Sequence, residues 1–155
     1  MTRFLGEYEC KVDAKGRLMI PSGLNKQLLP EARDRFVVNR GFEKHLVLYP
    51  FNEWEKISSE INRLNLYVKK NRQFVRYFYR GATELSPDSN NRILFPKSLM
   101  EYANLKKDVV LFAYSNRIEI WNKEEYEGLL DDEPADFSDL AEDVMGDLSK
   151  EDNDE

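Results

Sequence analysis

Asp13-Ala14-Lys15-Gly16-Arg17-Leu18-Met19-Ile20-Pro21 returns 75 positions later as Asp88-Ser89-Asn90-Asn91-Arg92-Ile93-Leu94-Phe95-Pro96. The shared core is Asp-x-x-x-Arg, three apolar residues, then Pro. A second echo follows each copy: Leu46-Val47-Leu48-Tyr49-Pro50 with Trp54 matches Ile118-Glu119-Ile120-Trp121-Asn122 with Tyr126, now offset by 72. Two matches in the same order, separated by a small gap, mean a duplicated unit. The period is too long and the copies too few for a solenoid. Two similar units about a pseudo-twofold axis are expected instead.

Working outward, residues 7–12 and 17–20 read as short strands joined by the turn Asp13-Ala14-Lys15-Gly16. Asp opens such turns by accepting from its own downstream backbone, and Gly supplies a left-handed position near the end. Asn91 replaces Gly16 in the second copy, and Asn is the residue that next best tolerates that conformation. Pro21 and Pro96 suit the first turn of a helix, where a missing N–H costs nothing, so short helices are predicted over about 22–29 and 97–103. Two hairpins follow, Phe36-Val37-Val38 with Leu46-Val47-Leu48-Tyr49, and Val109-Val110-Leu111-Phe112 with Arg117-Ile118-Glu119-Ile120-Trp121. Each unit is β-β-α-β-β plus a further helix, and the fold class is α+β. Asn52 with Glu55, and Asn122 with Glu125, have capping-box spacing for those further helices. Within 63–80, Phe74 and Phe78 share one helical face, Lys69, Arg72, Arg76 and Arg80 line another, and no acid intervenes. That basic stripe is expected to be a solvated face or a subunit interface.

The chain has 155 residues and a net charge of −6, but the charge is segregated. Residues 128–155 hold 12 acids and 1 base, while the rest carries 22 bases against 17 acids. The body is thus mildly cationic, and the acidic extension from Asp131 onward is predicted to be disordered. Halves of this size are marginal alone, so the copies should bury their apolar faces against each other. No run is long enough to cross a membrane and no apolar signal segment opens the chain. The lone Cys10 excludes an internal disulfide framework and fits a reducing cytoplasm. The metal spacings CxxC and HExxH are absent, as are the phosphate loop and the GxGxxG fingerprint. With one histidine, His45, and one cysteine, both read as structural, no catalytic residue, metal or cofactor is expected.

The paired turns before an apolar-apolar-apolar-Pro sequence resemble the swapped-hairpin AbrB family of DNA-binding domains. Two such units with a central helical linker resemble the MraZ family of transcriptional regulators. This likeness covers residues 3–127 and rests most on 13–21, Tyr49-Pro50 with Trp54, Arg80-Gly81, and Asp88 through Pro96. It implies interlocked hairpins in a small barrel flanked by helices. The boundaries are 6–52 for repeat 1, 53–80 for a helical linker, 81–124 for repeat 2, and 125–155 for a short helix and acidic tail. It further implies a cytoplasmic, nucleoid-associated homo-oligomeric ring. Such a ring binds tandem promoter repeats of double-stranded DNA upstream of a division and cell-wall gene cluster, mainly as a repressor. Neither a membrane nor a small-molecule substrate is implied as a partner. Because AbrB relatives include antitoxins with acidic tails, an antitoxin or protein-binding module is the alternative.

Phosphate neutralisation by Lys and Arg supplies most DNA affinity, and base-edge contacts supply specificity. Segment 11–17 has Lys11, Lys15 and Arg17 against Asp13, whereas 86–92 has Arg92 against Asp88. Arg17, Lys15 and Lys11 are therefore the expected DNA contacts, with Arg3 touching phosphate only. Asp13 with Arg17 and Asp88 with Arg92 are the expected turn pairs, and Arg92 is expected to be structural alone. Charge segregation also predicts that the tail competes with DNA for the body, an effect that fades as salt screens it. Deleting residues 131–155 should tighten DNA binding, most at low ionic strength, in a salt-series titration by fluorescence anisotropy.

Overall fold

In the computed structural model, residues 3–131 and 136–153 are described. A first compact unit runs to Lys123 and a second begins at Glu124. Strand β1 (Phe4–Lys11) turns inward every second residue, as the pleat requires. It is followed by β2 (Arg17–Met19), α1 (Ser22–Asn25), a single 3-10 turn (Pro30–Ala32), β3 (Phe36–Arg40) and β4 (Leu46–Pro50). Helices α2 (Phe51–Ile61) and α3 (Lys69–Tyr79) lead into β5 (Thr83–Leu85), β6 (Arg92–Leu94), α4 (Lys97–Tyr102), β7 (Asp108–Ser115) and β8 (Arg117–Asn122).

The pairing is where the duplication shows. Strands run in the order β1-β7-β8-β4-β3-β5 in one antiparallel sheet, and β2 pairs with β6 in a separate ribbon. Exchanging the repeats turns this order into its own reverse, which is the pseudo-twofold. Strands β1 and β2 meet only at a bridge between Val12 and Leu18. Each instead pairs with the other repeat, β1 over eight residue pairs with β7 and β2 over three with β6, and β5 likewise pairs over three with β3. The expected barrel takes the form of this sheet and the ribbon, continuous with it through the Asp turns.

One core lies between them. Leu18, Ile20, Phe36, Leu46 and Leu48 from the first repeat meet Ile93, Phe95, Leu111, Ile118 and Ile120 from the second. On the opposite face of the sheet, Trp54 of α2 stacks on Phe78 of α3 at 5.7 Å and lies over Val37, Val47 and Tyr49. Phe78 thus packs as its helical spacing suggests, while Phe74 stacks on it at 5.7 Å and stays partly exposed.

Three local expectations need correction. The predicted helix 22–29 ends at Asn25, because Pro30 holds Leu29 extended. Asn52 does not cap α2. That helix begins on Pro50, without a side-chain cap, and the Phe51 amide donates to the Arg35 carbonyl. The acidic extension is also not structureless throughout. Following α5 (Lys123–Asp131), residues Phe137–Asn153 form a helix, α6. Phe137, Leu140, Val144 and Leu148 recur at helical spacing on it and are all exposed. Residues 132–135, 154 and 155 of the predicted tail lie outside the described residues.

Leu18 and Ile93 face each other at the ribbon's centre and are 1% and 0% exposed. Leu18→Ala or Ile93→Ala should each cost about 2–5 kcal/mol. Because the core is shared, far- and near-ultraviolet circular dichroism should report one coincident melt of the unit up to Lys123. Separate melting of two halves would contradict a common core.

Candidate nucleic-acid interface

The two turns are built bond for bond alike. Asp13 Oδ1 accepts from the backbone N–H groups of Lys15 and Arg17, both at 2.9 Å, and Oδ2 accepts from Arg17 Nε at 2.7 Å. Asp88 Oδ1 accepts from the Asn90 and Arg92 amides at 2.9 and 3.0 Å, and Oδ2 from Arg92 Nε at 2.9 Å. Gly16 and Asn91 take the left-handed position at φ 84° and 60°. Each then turns its carbonyl to the other repeat. The Phe95 amide donates to Gly16 and the Ile20 amide donates to Asn91, both at 3.0 Å. Both carboxyls are held below the usual carboxylate range, first by the backbone N–H of Arg17 or Arg92 and then by the other donors.

Arg17 and Arg92 therefore do equal structural work. Their side chains are 29% and 27% exposed, and each holds the carboxylate through Nε, at 2.7 and 2.9 Å. The difference expected from sequence is absent from turn geometry and survives only in the surroundings. Around the first turn, Lys11 and Lys15 are exposed. A cleft of about 430 Å³ beside it is lined by Val12, Asp13, Ala14, Met100, Lys106 and Lys107. The second repeat thus contributes two lysines to the first repeat's turn. Their basic character was visible in the sequence, but their position depends on the exchange of strands.

Arg3 is not brought to this cluster. Eight residues of extended β1 separate it from Lys11, about 26 Å at the rise of a strand. It lines a different cleft of about 720 Å³ with Glu53, Lys56 and Arg117. On α3, Arg72 donates to the Leu66 carbonyl at 2.9 Å, so part of the predicted basic stripe closes its own preceding loop. His45 is buried, stacked on Trp121 at 4.3 Å, and its imidazole is pushed down chiefly by desolvation, against the pull of Glu119 and Glu43. Cys10 is half-buried in β1, and burial pushes its thiol up. Both fit their structural readings. Among the described residues, no group of three His, Cys, Asp or Glu side chains is placed to hold a metal ion. No helix there is long and apolar enough to cross a membrane.

The arrangement is a two-stranded ribbon end bearing a guanidinium and exposed lysines, the kind of element a major groove admits. Comparison with known proteins agrees with the duplication. A family model described as "MraZ protein, putative antitoxin-like" matches twice, over residues 3–77 and 78–148. The transcriptional regulator MraZ of Christiangramia forsetii is 48% identical over 147 residues, covering 94% of this chain and 95% of that protein. Its namesake in Flavobacterium psychrophilum is 47% identical, covering 96% of each chain. That of Halothermothrix orenii is 39% identical over 89% of this chain and 94% of its own.

The depressed Asp13 and Asp88 carboxyls make a pH prediction. A carboxyl whose folded pKa lies below its unfolded value adds stability above the unfolded pKa, about 3.9. That stability is lost as pH falls through the folded pKa. Melting temperature should therefore drop as pH is lowered from about 5 through the carboxylate range. The Asp13→Asn/Asp88→Asn variant should show a shallower drop, retaining the part due to Glu84, which Arg35 also holds low. Identical pH slopes in calorimetry would remove the two turns as the acid-sensitive element.

Proposed function

Because this chain belongs to the MraZ family, whose relatives compared above are transcriptional regulators, we propose that it regulates transcription by binding duplex DNA through the Asp13–Arg17 ribbon end. The observation that carries this reading is the first turn itself. Its carboxylate accepts three hydrogen bonds from the turn, which orients Arg17 among exposed lysines. A guanidinium held by Nε keeps its outer nitrogens available for the O6 and N7 acceptors of guanine. Lys11 and Lys15 supply backbone neutralisation on either side. Arg3, at the far end of β1, is left out of this surface.

In this reading the protein is a homo-oligomeric ring that engages tandem promoter repeats ahead of a division and cell-wall gene cluster, chiefly as a repressor. Exposed Phe74 and Tyr77 on α3 support a subunit contact there. The exposed apolar row of α6 favours a second role for the tail, as a helix that docks on a protein partner.

Paired variants test the proposal. Since both arginines close equivalent turns, Arg17→Ala and Arg92→Ala should lower the melting temperature alike. The affinity lost by Arg17→Ala beyond that of Arg92→Ala is then the DNA contribution, about 1–3 kcal/mol with relaxed specificity. Gel shifts on DNA from the gene's own upstream region measure affinity. Light scattering should give a mass several times the 18.3 kDa chain. Equal loss of affinity from two well-folded assemblies would show that both turns read DNA, and a monomeric mass would remove the ring.

A further inference from the structure

The strand exchange places Lys106 and Lys107 where no reading of either repeat alone would put them. The Val12 amide donates to the Lys107 carbonyl at 2.8 Å, fixing the start of β7 against the exit of β1. Both lysines line the cleft beside Asp13 and Ala14, and both are exposed. Across it, a Cβ on Gly16 would come within 3.0 Å of Met100 Sδ, so the turn is braced by the same segment that carries the lysines. Among the described residues, no carboxylate lies within ion-pair distance of Lys11, Lys15, Lys106 or Lys107. Acids near these cations are Asp13, whose carboxylate closes the turn, Asp108, opposite Lys11 in the β1–β7 register, and Glu9, two residues before Lys11 on the same face of β1 and bonded to Lys123 at 3.5 Å.

The pseudo-equivalent corner is built differently. Cys10 pairs with Val109 and Leu85 with Phe36. The repeat offset makes Cys10 equivalent to Leu85, and hence Val109 to Phe36. Counting back, Lys107 corresponds to Asp34 and Lys106 to Arg33. Val12 corresponds to Pro87, which has no N–H and cannot make the tie. Arg35, in the place of Asp108, is bonded to Glu84 at 2.7 Å. The second corner is close to neutral and untied.

We propose that Lys106 and Lys107 are phosphate-binding residues, so that the DNA-contacting surface is one composite site built by both repeats at the first turn. This rests on the proposed DNA-binding function and specifies which backbone contacts serve it. The lysines grip phosphates flanking the base pairs that Arg17 reads. They contribute affinity without sequence preference, and the second turn contributes little.

The test is a salt titration of the full chain on two duplexes, one from the gene's own upstream region and one of unrelated sequence. Each lost phosphate contact flattens the dependence of log affinity on log salt by about 1. Lys106→Gln/Lys107→Gln should therefore flatten the slope by about 2 on both duplexes, leaving sequence preference and melting temperature unchanged. The control Arg33→Gln, at the equivalent corner, should leave the slope as it is. The single variants Lys106→Gln and Lys107→Gln should each flatten it by about 1. An unchanged slope in the double variant, with tight binding retained, overturns the inference and leaves the DNA-binding reading standing. An equal effect from Arg33→Gln overturns the composite, one-sided site. A wild-type protein that binds neither duplex overturns the functional reading itself.

Discussion

A carboxylate that accepts three hydrogen bonds from the turn it opens is the constraint on which the rest of this molecule depends. Asp13 and Asp88 gather two backbone N–H groups and one guanidinium N–H each. That closure fixes a left-handed residue two positions beyond the first backbone donor's predecessor, Gly16 or Asn91. The carbonyl of that residue then faces the other repeat and accepts from Phe95 or Ile20. The ribbon β2–β6 forms because both turns do this together, and the ribbon in turn closes the core at Leu18 and Ile93. Charge-assisted bonds of this kind are stronger than neutral ones, which suits a turn that remains partly in water.

The duplication is alike where it sets the sheet order and differs at the two corners beside the turns. Turn geometry, the ribbon register and the β4–β8 contact are common to both halves. Val12 against Pro87 and Lys107 against Asp34 differ at positions that leave the sheet order intact. The edges diverge as well, since β1 makes eight pairs with β7 whereas β5 makes three with β3. Of the two seams between the repeats, the β1–β7 seam is therefore the longer and ends at the more cationic corner, with residues of both repeats in it. A symmetric framework can hold an asymmetric surface because backbone hydrogen bonds set the framework, whereas side-chain charge sets the surface.

Much of the fold was legible because its determinants are local. Asp and Gly at their offsets name the turn, Pro21 and Pro96 name the helix starts, and alternation names the strands. Asn91 was readable as the left-handed counterpart of Gly16, and φ 60° is what the structure gives it. Partner choice was less legible, since nothing in Lys11 or Lys107 states that β1 pairs with β7. Arg3 was read as a phosphate contact only, and β1, which runs Phe4–Lys11, holds it at the opposite end of that strand from the basic turn. The cap at Asn52 failed for a related reason, because a distant carbonyl on Arg35 already took the first helical N–H. For the tail, net charge was read as disorder, and the helical spacing of Phe137, Leu140, Val144 and Leu148, which points to α6, was not weighed against it. Spacing decided the outcome.

The exchange of strands also sets a timetable for synthesis. Glu7 pairs with Phe112, so β1 emerges from the ribosome roughly a hundred residues before its partner exists, about 5–20 s at ordinary elongation rates. During that interval an alternating strand with an open edge is available to any complementary strand nearby. On a polysome, the nearest such strand is β7 of the chain ahead. The interval between making β1 and making β7 is thus when one nascent chain can be captured by another, and closure of β1 within its own chain has to win that race.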